Sequence, residues 1–197
     1  KKVAAKKAPA KKTPAKQPAA KKAAAKKVAA KNTPAKKTPA KTALGPQVGD
    51  KAPAFKLPAT ALGMVSLAAL KGKVMVLYFY PKDDTSGCTA EACGFRDAMP
   101  QLAKRGVTVI GVSRDSLAAH EKFTSKYALA FPLASDESGA ACEAYGVWVE
   151  KSMYGRKYMG IERATYLIDA KGIIRAVWRK VSVPGHVDEV KQAIAAL

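Results

Sequence analysis

The sequence predicts an α/β domain, a mixed sheet flanked by helices, preceded by a disordered basic tail. Three observations predict it. Fifteen lysines but no acidic or aromatic residue fall in the first 45 of the 197 positions. A continuous apolar run, Val74 to Tyr80, ends at Pro81. Beyond it, stretches with helical spacing of apolar residues alternate with short β-branched runs.

The tail, residues 1–45, carries +15, and the domain, residues 46–197, carries the remaining +5 of the net +20. A stretch of Lys, Ala, Pro and Thr has too little apolar bulk to offset the entropy of ordering itself, so it is expected to be disordered when free. Lysine recurs every five residues from Lys1 to Lys41, in units such as KKVAA, KKAPA and KKTPA. That period matches neither 3.6 nor 2 and defines no apolar face. Prolines at 9, 14, 18, 34 and 39 favour extended pieces, while the proline-free stretch 19–33 is able to turn helical once its charges are neutralised. The tail reads as a polyanion binder, DNA above all, through phosphate contacts of Lys1, Lys2, Lys6, Lys7, Lys11, Lys12, Lys16, Lys21, Lys22, Lys26, Lys27, Lys31, Lys36, Lys37 and Lys41. The plainer reading is a solubilising, self-repelling tail. With no aromatic to stack on bases and no Arg fork to read guanine, no sequence preference is expected. The KKTPA-type units resemble the C-terminal tails of linker histones. Residue 1 is Lys rather than Met, so the tail can be longer than these 45 residues.

No apolar run reaches the roughly 18 residues of a membrane span, and the tail has no apolar segment of a secretory signal. A cytoplasmic, nucleoid-associated location is expected. Three cysteines, an odd number, do not make a disulfide scaffold and are read singly.

In the domain, Val74 to Tyr80 suits a strand buried on both faces. Thr85 or Ser86 can cap a helix in which Ala92, Phe95, Met99 and Leu102 share a face; Pro100 should kink or split it, and Gly106 stops it. Val107 to Val112 is the next strand, Ser116 to Tyr127 a capped helix, and Phe131 to Leu133 a short strand. Arg163 to Ile168 and Ile173 to Arg179 form strands joined by the turn Asp169 to Gly172. A last helix, about 187–197, is expected to bury Val190, Ala193, Ile194 and Leu197. A βαβ half followed by a ββα half makes an α/β sandwich around a mixed sheet.

The segment Pro81-Lys82-Asp83-Asp84-Thr85-Ser86-Gly87-Cys88-Thr89-Ala90-Glu91-Ala92-Cys93 carries the chemistry. Cys88 falls in the first turn of a helix after a buried strand, where free N–H groups and the positive dipole end favour a thiolate. Pro81, Thr85 and Cys88 fit the PxxxTxxC signature of peroxiredoxins, and YFYPKDDTSGCTAEACGFRD resembles the bacterioferritin comigratory protein (peroxiredoxin Q) subfamily. So do VGDKAPAFKLP, GVWVEKSMYG and RATYLID, so the likeness runs from about Val48 to the C-terminus. It implies a thioredoxin-like fold and reduction of hydrogen peroxide and organic hydroperoxides without metal, flavin or haem. On that resemblance Cys88 is the peroxidatic cysteine, Pro81 shields its sulfenate from water, the Thr85 hydroxyl aligns the peroxide and Arg163 is the catalytic arginine. The bare sequence alternative for Arg163 is a salt bridge with Glu162 or Asp169. Arg96 and Asp97 are read as a pair outside the chemistry.

Cys93 stands where this subfamily often places its resolving cysteine. Five residues along an unbroken helix separate Cα atoms by roughly 8.6 Å, beyond the ~7 Å limit for a disulfide. The helix must therefore unwind to oxidise, which Gly87 and Gly94 ease; the alternative is a small apolar Cys93 with Cys88 working alone. Cys142 reads as a buried core thiol. The resemblance implies thioredoxin as reductant, and a monomer is expected. CxxxxC is not the CxxC of a disulfide reductase, and His120 and His186, expected to be exposed or capping, lack zinc-ligand spacing. The rival reading is a nucleoid-associated DNA-binding protein whose peroxiredoxin domain is secondary.

Overall fold

The run beginning at Val74 becomes the central strand because each of its faces has a core to enter. In a computed structural model, which describes residues 45–153 and 155–197, Met75, Leu77 and Phe79 point into one core and Val76, Tyr78 and Tyr80 into the other. The order of elements is β1 (Lys56–Ala59), β2 (Gly63–Ser66), β3 (Val74–Phe79), α1 (Ser86–Lys104), β4 (Val107–Ser113), α2 (Leu117–Tyr127), β5 (Leu133–Ser135), α3 (Ala140–Ala144), β6 (Trp148–Met153), β7 (Arg156–Ile161), β8 (Ala164–Ile168), β9 (Ile174–Trp178) and α4 (His186–Ala195). The expected disorder of the tail and the phosphate contacts of its lysines concern residues 1–44, which lie outside the described residues.

Seven strands form one sheet in the order β2-β1-β5-β4-β3-β8-β9, with β6 and β7 a separate hairpin. β3 pairs in parallel with β4, and β4 with β5, through crossovers made by α1 and α2. β8 and β9 add antiparallel strands beside β3, joined by the expected turn, in which Gly172 N–H donates to the Asp169 carbonyl at 2.9 Å. Phe95 and Leu102 of α1, Phe123 of α2, and Val190 and Ile194 of α4 cover one face. Cys142 of α3, with Phe55, Tyr145, Val147 and Ile161, covers the other. This mixed, helix-flanked sheet is the expected thioredoxin-like architecture.

The structure differs from expectation in several places. α1 runs 19 residues through Pro100 without splitting, because Phe95, Ala98 and Leu102, buried on either side of the proline, hold it against the sheet. β5 starts at Leu133, not Phe131: Pro132 has no N–H to give the ladder, and its carbonyl instead accepts the Gly111 N–H at 3.2 Å. Leu197 is exposed, because α4 ends two residues before it. The β1–β2 and β6–β7 hairpins and α3 had no strong pattern. β1 carries Pro58, β7 is exposed along most of its length, and α3 has five residues.

Gly111 on β4 leaves no room for a side chain. A Cβ there would lie 2.7 Å from both Leu133 Cδ2 and the Tyr78 hydroxyl, and both side chains are buried. Gly111→Ala is therefore expected to lower stability by about 1–3 kcal/mol, the usual range for an overpacked core, measured as a lower urea midpoint at unchanged m-value.

Candidate active site

β3 delivers Tyr80 into the core, and the chain then turns through Pro81 to Asp84 into α1. Thr85 occupies the N-cap position with extended backbone, but its hydroxyl makes no capping bond. It donates instead to the Lys82 carbonyl at 3.1 Å, closing the loop on itself. Cys88, third residue of α1, lies in the turn whose N–H groups lack intrahelical partners, and it is 1 % exposed.

Arg163 reaches this sulfur from the chain just before β8. Its Nη2 lies 3.2 Å from Cys88 Sγ, while Nη1 donates to the Glu91 carboxylate. Neither alternative partner is used: Glu162 pairs with Arg179 at 2.6 Å and Asp169 with Arg175 at 2.7 Å. Gly87 leaves room for this approach: a Cβ there would stand 3.3 Å from Arg163 Nη2, and the guanidinium would have to give by a few tenths of an ångström.

Glu91 is the site residue the sequence reading missed. It follows Cys88 by three positions and so shares its helix face, and an acid on an otherwise apolar face was the available signal. It is buried, and its Oε1 has no hydrogen-bond partner among the described residues. Burial pushes its carboxyl up to about 7, against the pull of the Arg163 charge. For Arg163 burial works downward, but Glu91 and Cys88 outweigh it and the net shift is upward.

Pro81 is exposed at the lip of an open cavity of about 380 Å³, also lined by Arg114, Trp148, Lys151, Tyr158 and Ile161. Lys151 senses the site: burial, then Arg163, lowers its pKa, while Glu162 and Cys88 oppose this. Cys93 is half-buried further along the same unbroken helix, a free thiol like the other two. Cys142 is fully buried in the core on the opposite face of the sheet from Cys88. Burial, then Asp136, pushes its thiol well up. The structure thus brings together Cys88 and Arg163, sets Thr85 and Pro81 at the loop before them, and leaves Cys93 apart. Arg96 pairs with Asp97 at 2.8 Å and also donates to the Tyr127 carbonyl at 2.9 Å.

Both histidines are buried, contrary to expectation. His120 Nδ1 meets Asp83 Oδ2 at 2.7 Å, and the Tyr80 hydroxyl donates to Asp83 Oδ1 at 2.7 Å. His186 opens α4 and meets the Thr165 hydroxyl at 2.8 Å. Single histidines carry no periodic signal, so only the packing of α2 and α4 on the sheet reveals these partners. Among the described residues no group of three His, Cys, Asp or Glu is placed to hold a metal ion, and no helix is long and apolar enough to cross a membrane.

Likeness to known proteins makes the chain a thiol peroxidase on a thioredoxin-like frame. The AhpC/TSA family model matches residues 48–177. A Coxiella burnetii protein is 59% identical over 144 residues, 73% of this chain and 95% of its own. Peroxiredoxin Bcp of Bacillus subtilis is 47% identical over 148 residues, 75% of this chain and 94% of its own. The structure of Xanthomonas campestris peroxiredoxin Q matches with TM-score 0.69 and 44% identity, covering 72% of this chain and 90% of that one. The chain belongs to the AhpC/TSA family, in its Bcp, or peroxiredoxin Q, branch.

Glu91 gives stability a pH dependence of known sign. Its carboxyl is raised in the folded state from an ordinary 4.5 to about 7, so the folded state binds the extra proton. Stability from this group is full below pH 4.5 and declines as pH rises through 7. Urea unfolding at a series of pH values should show the wild type losing on the order of 2–3 kcal/mol relative to Glu91→Gln between pH 4.5 and 8.

Proposed function

We propose that Cys88 is the peroxidatic nucleophile of this peroxidase and Cys93 its resolving partner, with hydrogen peroxide and organic hydroperoxides as substrates. The observation that carries the reading is the 3.2 Å approach of Arg163 Nη2 to a buried sulfur at a helix start. The Cys88 thiolate attacks the terminal peroxide oxygen. An S–O bond forms, the O–O bond breaks, and the leaving oxygen takes a proton to depart as water or an alcohol. Arg163 stabilises charge as it moves from sulfur to that oxygen. The Thr85 hydroxyl turns from the Lys82 carbonyl to align the peroxide, and Pro81 at the cavity lip shields the resulting sulfenic acid. Related support is that a Xanthomonas campestris bacterioferritin comigratory protein has alkyl peroxide reduction activity.

In the second half Cys93 sulfur attacks Cys88 sulfur, water leaves, and an intramolecular disulfide remains. A dithiol reductant such as thioredoxin returns both thiols, and because the pair lies in one chain a monomer suffices. Cys88→Ser is expected to abolish peroxide reduction, Arg163→Ala to lower the second-order rate constant at least tenfold, and Cys142→Ser to leave it within twofold, orders of magnitude that follow from losing the nucleophile, one transition-state charge and neither. Peptide mapping of oxidised protein should find Cys88 joined to Cys93; a bond only to Cys142, or only between chains, overturns the resolving role.

The lysine pentads support a second component, non-specific DNA binding that tethers the peroxidase near the genome. A shift assay should show duplex DNA bound by the full chain and little by residues 46–197. If about ten of the tail lysines engage phosphates, log K should fall with log[salt] at a slope near −9. Equal affinity with and without residues 1–45 removes the tether.

A further inference from the structure

Forming the Cys88–Cys93 bond requires α1 to unwind, so whatever holds the two ends of the unwinding segment controls resolution. The upstream end is Asp84, immediately before the N-cap. Its backbone is left-handed, φ +57°, an uncommon state for a residue with a side chain. Its carboxylate accepts from Lys126 Nζ at 2.7 and 2.8 Å and from the Tyr127 hydroxyl at 2.6 Å. Next to it Asp83 is tied to Tyr80 and His120, and its N–H donates to Asp115 Oδ2 at 2.8 Å. The downstream end is Phe95 and Arg96. Phe95 is fully buried, and Arg96 Nη1 donates to the Tyr127 carbonyl at 2.9 Å.

Both ends therefore meet at one residue. Tyr127, the last of α2, holds Asp84 with its hydroxyl and Arg96 with its carbonyl, and the residues that must unwind, 85–94, lie between these two ties. We propose that Tyr127, with Lys126 beside it, is a bracket that keeps α1 wound through the peroxide step and sets how readily it unwinds for resolution. This rests on the reading that Cys93 resolves Cys88. Tyr127 does not touch the sulfur; it is a positioning residue acting through the segment it spans.

Two reactions compete for the Cys88 sulfenic acid. Unwinding lets Cys93–SH condense with Cys88–SOH to give the disulfide and water. While α1 stays wound, a second hydrogen peroxide oxidises Cys88–SOH to the sulfinic acid, releasing water. Loosening the bracket should therefore speed the first and protect against the second, with peroxide attack on the thiolate unchanged.

Tyr127→Phe removes the hydroxyl tie while leaving the ring that packs edge-on against Phe123 at 5.2 Å and the backbone carbonyl. Asp84→Asn removes the charged acceptor with a residue that tolerates the left-handed backbone. In the full chain, rapid alkylation with mass spectrometry should show disulfide formation roughly threefold to tenfold faster in Tyr127→Phe, the worth of one net hydrogen bond. The hydrogen peroxide concentration giving half sulfinic acid should rise by a similar factor, and the second-order constant for sulfenic acid formation should stay within twofold. Asp84→Asn should move the same quantities in the same direction. Lys191→Met, which breaks an exposed ion pair with Asp188 on α4, should move none. If the wild type forms Cys88–Cys93 and neither bracket variant alters its rate or the sulfinic acid dose, the bracket is wrong. If the wild type forms no such disulfide, the resolving role of Cys93 fails first and the bracket with it.

Discussion

Phe79 faces Ala164 across the antiparallel pairing of β3 with β8, and that register places Arg163 beside the point where the chain leaves β3 for α1. A slip of one residue would turn every β8 side chain to the opposite face. Tyr166 and Ile168 would leave one core, Leu167 would leave the other, and the guanidinium would no longer be aimed at the helix start. The site is therefore fixed by the packing of both cores as much as by its own contacts.

Around that register three groups sit largely out of water: the Cys88 thiol, the Arg163 guanidinium and the Glu91 carboxyl. Desolvation opposes each charge, and their mutual attraction in a low dielectric repays it only when the geometry is close. The approach of Arg163 to Cys88 Sγ and to Glu91 meets that condition. Among the described residues Glu91 nevertheless has no partner for one oxygen, and burial raises its carboxyl to about 7. The arrangement orients the arginine rather than adding much net stability.

The helix that presents the sulfur faces conflicting demands. Wound, its first turn leaves N–H groups unpaired beside the Cys88 sulfur; the proposed disulfide with Cys93 requires it to unwind. Gly94 contributes on both sides. It has no side chain to favour the helix, yet it lies so close to α4 that a Cβ would stand 3.1 Å from Val187 Cγ2. Winding is thus sustained by neighbours, α2 at both ends and α4 in the middle, more than by the propensity of the segment itself.

The apolar run Val74 to Tyr80, the βαβ order after it, the Ser116 cap and the Asp169 to Gly172 turn were legible in the sequence because each is written in local spacing and turn chemistry. Cys88 was singled out by its place at a helix start, and Thr85 and Pro81 by the PxxxTxxC signature they share with it. Helix continuity through Pro100 was not, since the contacts that override the proline come from the sheet beneath it. Glu91 could be seen as an acid three residues from Cys88, but its arginine comes from the segment just before β8, 72 positions away in sequence. Likewise the partners of His120, His186 and Tyr127 belong to other elements. Local pattern determines which elements form and sets Cys88 at a helix start; the charges and ties around its sulfur depend on strand register and helix packing, which bring together residues with no relation in sequence.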